Sequence, residues 1–333
     1  MNCKSHGKAF RITSIVAAFA CMPLDSAFAS PAAPEVQVVT LGTGGGPSLR
    51  VERAQTSNAV VVGQDFYLVD TADGVLRQLR AAKIQIERIK AIFITHHHFD
   101  HNAGLGPLLA HRWLVGNHSA LPVLGPPLTS QMVKYLARAY RAVELAPITI
   151  GGPQSPPIAS TVNVREFPAN PMEPVVVYRD ENVTVSTVLN DHYHFTAGSE
   201  AQKASRSYAF RFEAPGRTVV FTGDTGPSAR VEKLARNADV LVSEVIDLPR
   251  IEASLRASPR DGFPIDELIE HLRQDHLSPT QVGELAARAS VKMIVLSHIV
   301  PGWDGETDLS GYTRGIDTHF KGPVRLAKDL DRY

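Results

Sequence analysis

Apolar positions along the chain follow two rhythms. Short runs rich in β-branched and aromatic residues recur at Val36 to Leu41, Ala59 to Val62, Phe66 to Val69, Ile92 to Thr95, Leu121 to Leu124, Val183 to Leu189, Tyr208 to Phe212, Thr218 to Phe221, Val240 to Val242 and Met293 to Leu296. Runs of this length and makeup, bounded by turn-forming residues, predict strands. Val75 to Ala82, Leu105 to Trp113, Gln131 to Val143, Ala229 to Ala235 and Pro279 to Ala289 instead carry helical periodicity. Pro, Gly and Ser accumulate between Ala146 and Pro174, so loops and weak strands are expected there. Strands come first in pairs and then alternate with helices, twice over. That order predicts a layered α/β protein with sheets inside and helices outside, forming one domain over residues 34–333.

Composition narrows this picture. The chain has 333 residues, 44% of them hydrophobic, which is enough for a substantial core without staples. The 34 basic and 34 acidic residues cancel, and no long basic run stands out. Polyanion binding relies on neutralising phosphates, so no nucleic-acid partner is expected. Lys4, Lys8 and Arg11 precede an apolar stretch from Ile12 to Ala20, and Ala27-Phe28-Ala29 follows. This pattern predicts a signal peptide over residues 1–29 and a periplasmic or secreted location. The only cysteines, Cys3 and Cys21, lie inside that segment, so any metal must sit on nitrogen and oxygen. No other segment is apolar and long enough to span a membrane.

The densest chemistry is Thr95-His96-His97-His98-Phe99-Asp100-His101, after an apolar run and before a helical one. In an extended segment alternate residues face the same way. His96 and His98 can therefore reach one metal, while Asp100 and His101 turn toward a second as the helix begins. Imidazole and carboxylate together suit zinc, iron or manganese. His96-x-His98-x-Asp100-His101 after an apolar strand resembles the signature of the metallo-β-lactamase superfamily. Leu41-Gly42-Thr43-Gly44-Gly45-Gly46 and Gly223-Asp224-Thr225 resemble its ribonuclease Z and arylsulfatase-like branches. The resemblance implies a four-layer αββα sandwich with two divalent ions, zinc first and Mn2+ or Fe2+ as alternatives, at one edge between the sheets.

More ligands follow from that pattern. The family asks for a histidine after a later strand; His192 fits, and His194 is the second candidate. Asp224, just past an apolar run and after a glycine that permits close backbone approach, can set a carboxylate between two metals. In the resembling family this position bridges them. His298, ending Ile294-Val295-Leu296-Ser297-His298, matches the final ligand. His276 stands where ribonuclease Z-like enzymes carry a histidine that is not a ligand. The resemblance implies a proton donor to the leaving group, with a plain helix-start histidine as the alternative. Glu244 is a candidate to orient it.

Together these residues predict an exported dinuclear hydrolase. A water shared by two ions, its pKa lowered from about 16 toward 7, would attack a phosphodiester, aryl sulfate or ester bond. Transfer-RNA-processing ribonuclease Z enzymes carry a long arm between the third histidine motif and the bridging aspartate. Here His192 and Asp224 lie close in sequence, with Gly198 to Ser207 as the only extra loop. A small-molecule substrate is therefore expected. A β-lactamase or lactonase acting on cyclic amides or esters is the alternative, and a structural metal-binding protein the non-enzymatic one. The many carboxylates and missing cysteines count against the last.

Overall fold

Strand pairing in the computed structural model sorts the apolar runs into two sheets. The structure describes residues 1–2, 34–146, 155–258, 261–262 and 264–333, so the expected signal peptide, apart from Met1 and Asn2, lies outside the described residues. The first sheet holds β1 (Val36–Gly42), β2 (Ser57–Val62), β3 (Asp65–Val69), β4 (Ile89–Phe93), β5 (Leu121–Gly125) and β6 (Val162–Glu166), side by side in chain order. The second holds β7 (Val175–Arg179), β8 (Thr184–Leu189), β9 (Tyr208–Ala214), β10 (Arg217–Phe221), β11 (Val240–Ile246), β12 (Ile294–Val300) and β13 (Val324–Leu326), again in sequential order. The compact unit runs from Ala33 to Tyr333. Among the described residues, no helix is long and apolar enough to cross a membrane.

The period-two pattern decides which face each residue covers. Tyr67, Val69, Ala91 and Phe93 of the first sheet meet Phe210, Phe212, Val219 and Phe221 of the second in one apolar layer between the sheets. Their alternates Phe66, Leu68 and Ile92 point outward onto α1 (Val75–Ala81), α3 (Leu105–Leu114) and α4 (Thr129–Ala139). On the far side Val220, Leu241 and Ile294 meet α7 (Ala229–Ala235), α10 (Pro279–Arg288) and α11 (Ile316–His319). The layers are thus αββα, as the sequence implied. Between α1 and α3 lies the short α2 (Phe99–Asn102); α5 (Arg141–Glu144) and α6 (Glu200–Ala204) complete the minor helices.

Strand direction explains why one edge carries the polar residues. Strands β3 through β6 pair parallel, as do β10 through β13, so each is joined to the next by a crossover on an outer face. Strand β8 runs antiparallel to β9, and β9 antiparallel to β10. The carboxyl ends of β8 and β10 therefore share an edge. The segments leaving β4, β8 and β10 carry His96, His192 and Asp224 respectively. This is the strand-end crevice where α/β sheets place ligands.

Some described elements lay outside the runs read as strand or helix, among them two strands and two of the longer helices. Strands β7 and β13 are half-exposed edge strands. Helices α8 (Leu248–Ala257) and α9 (Ile265–Asp275) bury almost nothing: α8 has no buried residue, and α9 only Ile269 and Asp275. Strand β12 also runs past Leu296. Ser243 faces Leu296, but Val245 faces Ile299, so β12 carries one extra residue. The bulge falls at Ser297-His298, where His298 takes the left-handed φ of 48°. Bulges of this kind re-aim side chains beside active sites.

Candidate metal centre

The polypeptide leaves β4 extended and stays so through His98, then turns into α2. His96 and His98 consequently face one way and His97 the other, with its Nε2 3.2 Å from Pro127 O. The first turn of α2 brings Asp100 and His101 round to the same edge, both buried. Across the gap, the second sheet supplies His192, Asp224 and His298, all buried as well. Ligand atoms of His96, His98, His192 and Asp224 lie within 4.8 Å of one another, and so do those of Asp100, His101 and His298. Asp224 stands between the poles. Its Oδ2 is 3.8 Å from His96 Nε2, 4.0 Å from His192 Nε2, 3.3 Å from His101 Nε2 and 3.0 Å from His298 Nε2. All seven ligand candidates from the sequence are gathered here.

Close backbone approach makes the gathering possible. A Cβ on Gly46 would lie 2.1 Å from Asp100 Cγ, so only glycine lets the Gly42–Gly46 loop pass over that carboxylate. Gly223, at φ 59°, sits where a Cβ would come 2.7 Å from Tyr208 O, and its freedom lets Asp224 turn in from β10.

Buried atoms without partners test whether cations fit. His96 Nε2, His101 Nε2, His298 Nε2 and Asp224 Oδ1 are buried with no hydrogen-bond partner among the described residues. Leaving such an atom unpaired costs about 1–3 kcal/mol, so several converging on one space call for an outside partner. A divalent pair suits this all-nitrogen and oxygen set. The cluster is therefore compatible with a dinuclear metal site. Burial, and the like charges of its neighbours, hold His96 neutral. Burial pulls His98 down to about 4 and His192 well below its usual range. Neutral imidazole is the ligand form. At the other pole burial also opposes charge, but the Asp224 carboxylate outweighs it and pushes His298 up to about 10. His101 is likewise raised, by Asp224, Asp70 and Asp100. Cation binding there must displace those protons.

A surrounding shell fixes the rings. Asp70, which the sequence reading missed, places Oδ2 2.8 Å from His101 Nδ1 and accepts from Thr95 N at 2.7 Å. With the proton on Nδ1, His101 offers Nε2 to the centre. His192 Nδ1 donates to Asp275 O at 3.0 Å, which likewise frees Nε2. His194, the second candidate for the third histidine position, pairs with the Asp275 carboxylate instead, and its side chain is 53% exposed. His271 Nδ1 is 2.5 Å from the same carboxylate. Asp275 thus braces three histidines, only one of which enters the cluster.

His276 and Glu244 form a separate pair beside the poles. His276 Nδ1 lies 2.6 Å from Glu244 Oε2, and both are buried. Glu244 Oε1 accepts from Thr225 N, next to Asp224. Burial lowers the His276 imidazole, but the Glu244 charge outweighs it and the pKa ends above the ordinary value. The ring stacks on His298 at 5.9 Å and 12°, and a nitrogen of it lies within 4.8 Å of ligand atoms of Asp224 and His298.

Known proteins resemble this arrangement along most of the chain. Residues 66–299 match the family described as a β-lactamase superfamily domain. Ribonuclease Z of Mycolicibacterium gilvum is 32% identical over 89% of this chain and 95% of its own length. Ribonuclease Z of Mycobacterium bovis BCG is 29% identical over 89% and 97%. Among solved structures, the metallo-β-lactamase fold protein YhfI from Bacillus subtilis superposes with a TM-score of 0.62 at 20% identity, covering 90% of this chain and 99% of its own. The short form of human tRNase Z gives 0.60 at 21%, covering 89% and 98%. The names of these relatives overturn two expectations. One is a small-molecule substrate, whether aryl sulfate, ester, lactone or β-lactam. The other is the absence of a nucleic-acid partner. The second error has a physical source: a net charge of zero is a sum, whereas polyanions respond to local fields.

Proposed function

Since the chain belongs to the β-lactamase superfamily and is a metal-dependent hydrolase, we propose that it is a ribonuclease that hydrolyses phosphodiester bonds of RNA at the His/Asp centre. Its relatives named ribonuclease Z support the substrate. The observation that carries the reaction is the two-pole cluster about Asp224 with the Glu244–His276 pair beside it. We assign zinc as the resident metal on the all-nitrogen and oxygen donor set, which manganese and iron also suit. His96, His98 and His192 would hold one ion and Asp100, His101 and His298 the other, with Asp224 shared. Bound there, two divalent ions supply Lewis acidity toward water and the phosphoryl oxygens.

The remaining work falls to the chain itself. Asp70 and the Asp275 carbonyl hold the His101 and His192 rings so that each presents Nε2. Glu244 holds the proton of His276 on Nδ1, so the other nitrogen faces the centre. From there His276 can pass a proton to the leaving ribose oxygen, and Glu244 stabilises the ring while it is charged. Burial of all four groups excludes competing water from these proton positions. The test is cleavage of labelled RNAs by the zinc-reconstituted protein, with the ends mapped. A preparation that hydrolyses a small aryl phosphodiester but leaves every RNA intact would overturn the RNA assignment.

A further inference from the structure

Beyond the metal poles, a second structured cleft opens alongside. The chain that follows His192 lays Tyr193 against the centre: its ring lies 4.9 Å from His192, 5.4 Å from His98 and 5.9 Å from His96. Phe195 stacks on the outer side of Tyr193, with centroids 4.7 Å apart and planes at 26°. Phe195 remains 37% exposed, so its outer face is open to solvent. The two rings thus make a continuous aromatic wall from the metal cluster to solvent. They line a cleft of about 470 Å³ whose other walls include Asn170, Lys203, Arg206 and Arg230.

The cations on that wall are differently held. Arg206 Nε donates to Ala169 O at 3.0 Å and its Nη1 to Gln202 O and Ser205 O, so the guanidinium is fixed in place with its charge intact. Arg230 donates to Leu189 O at 3.0 Å and pairs with Asp191. Lys203, exposed on α6, brings its ammonium to the same cleft. Three cations against the single carboxylate of Asp191 leave the cleft net positive. Lys203 lies on α6, inside the Gly198 to Ser207 loop that separates the His192 and Asp224 motifs.

A planar stack beside fixed positive charge is the chemistry that holds single-stranded nucleic acid: bases stack on rings and phosphates meet cations, with little sequence preference. We infer that this cleft is a nucleotide-binding track. A base of single-stranded RNA next to the scissile bond stacks on Phe195 and Tyr193, and the following phosphates meet Lys203 and Arg206. The inference rests on the RNA reading above and says which strand form the protein takes and where it lies. Continuity of the aromatic wall with the His98 and His192 rings sets the distance: one nucleotide beyond the centre reaches Phe195.

The test uses fluorescence anisotropy with a labelled single-stranded oligoribonucleotide of hydrolysis-resistant phosphorothioate linkages and the metal-loaded full-length protein, so binding is read apart from turnover. Phe195→Ala should weaken binding about 5- to 140-fold, the range of one lost base–aromatic stack. Lys203→Glu should lower the slope of log affinity against log salt by about 0.7, the share of one phosphate contact on a single strand. Lys83→Glu, the same charge change on an exposed turn outside the cleft, should leave both quantities alone. Wild-type binding that Phe195→Ala and Lys203→Glu leave intact would overturn the track while sparing the RNA reading. Equal weakening by Lys203→Glu and Lys83→Glu, with no effect of Phe195→Ala, would reduce it to net-charge attraction and overturn it too. Failure of the wild type to bind or cut any RNA would overturn both.

Discussion

Replacing Asp70 by asparagine should separate the two metal poles. Asp70 sits in the left-handed region at φ 63°, a conformation that asparagine tolerates nearly as well as any side chain. The backbone is thus spared, and what changes is one acceptor oxygen. That oxygen matters in a definite way. Asp70 Oδ2 lies 2.8 Å from His101 Nδ1, and Oδ1 accepts from Thr95 N. An asparagine that keeps its carbonyl on Thr95 N turns its NH2 toward His101. Two donors would then face each other, unless the imidazole moves its proton to Nε2 and loses the lone pair a metal needs. Removal of such a supporting partner typically costs about 10- to 100-fold in metal affinity, or about 1.4–2.8 kcal/mol. The forced tautomer puts Asp70→Asn at the upper end, near 100-fold. The loss should be larger at the Asp100/His101/His298 pole, because the His96/His98/His192 pole meets Asp70 only through Thr95 Oγ1, which donates to Asp70 Oδ2 at 2.8 Å and lies 3.0 Å from His96 Nδ1. Chelator competition with metal counting by plasma mass spectrometry reads this directly as two affinities. Two wild-type affinities in Asp70→Asn would refute the reasoning, and so would equal loss from both poles.

Other substitutions probe other parts of the site. His276→Ala should keep both metals and lose about a hundredfold to ten-thousandfold in rate on RNA, the usual share of a proton donor. Loss of metal from that variant would make His276 a ligand instead. Gly46→Ala would set a methyl 2.1 Å from Asp100 Cγ. It should therefore strip metal from that pole, with the circular dichroism of the fold preserved; normal metal content would show that the loop can move aside. Chelation of the wild type should lower its melting temperature, because a ligand at a hundred times its dissociation constant stabilises by about 2.7 kcal/mol; an unchanged melting curve would deny any link between metal and fold.

Much of the architecture was legible because its code is local. Alternation in Phe66 to Val69 and in Val219 to Phe221 assigns each side chain to its layer, and the structure keeps that assignment. His96, His98, Asp100 and His101 were legible for the same reason: a strand end and a helix start fix where they point. Asp70 was not. Its partners Thr95 and His101 stand 25 and 31 residues away, and no local pattern joins them. Yet it follows an apolar run as Asp224 does, and the logic applied to Asp224 would have found it. Helices α8 and α9 were legible but missed: Leu248, Ile251 and Leu255, and Ile265, Leu268, Ile269 and Leu272, recur at helical spacing, although Ile269 is the one apolar residue of the two helices that is fully buried. The cationic cleft escaped because a net-charge sum hides local clusters, and Arg230 joins Lys203 and Arg206 only in space.

The extra residue in β12 has a consequence for anyone rebuilding this protein. Leu296 and Ile299 both pack in the outer layer, while His298 between them reaches the cluster. A strand in regular step would turn Leu296 and His298 to the same side and Ile299 to the other, because faces alternate with every residue. Straight pairing and a histidine at the centre are therefore alternatives for this one strand. A redesign that irons out the irregularity would complete the ladder beside β11, send the imidazole toward the helices and deliver an isoleucine to the metals. Such a sheet would be the tidier one, and it would be inert.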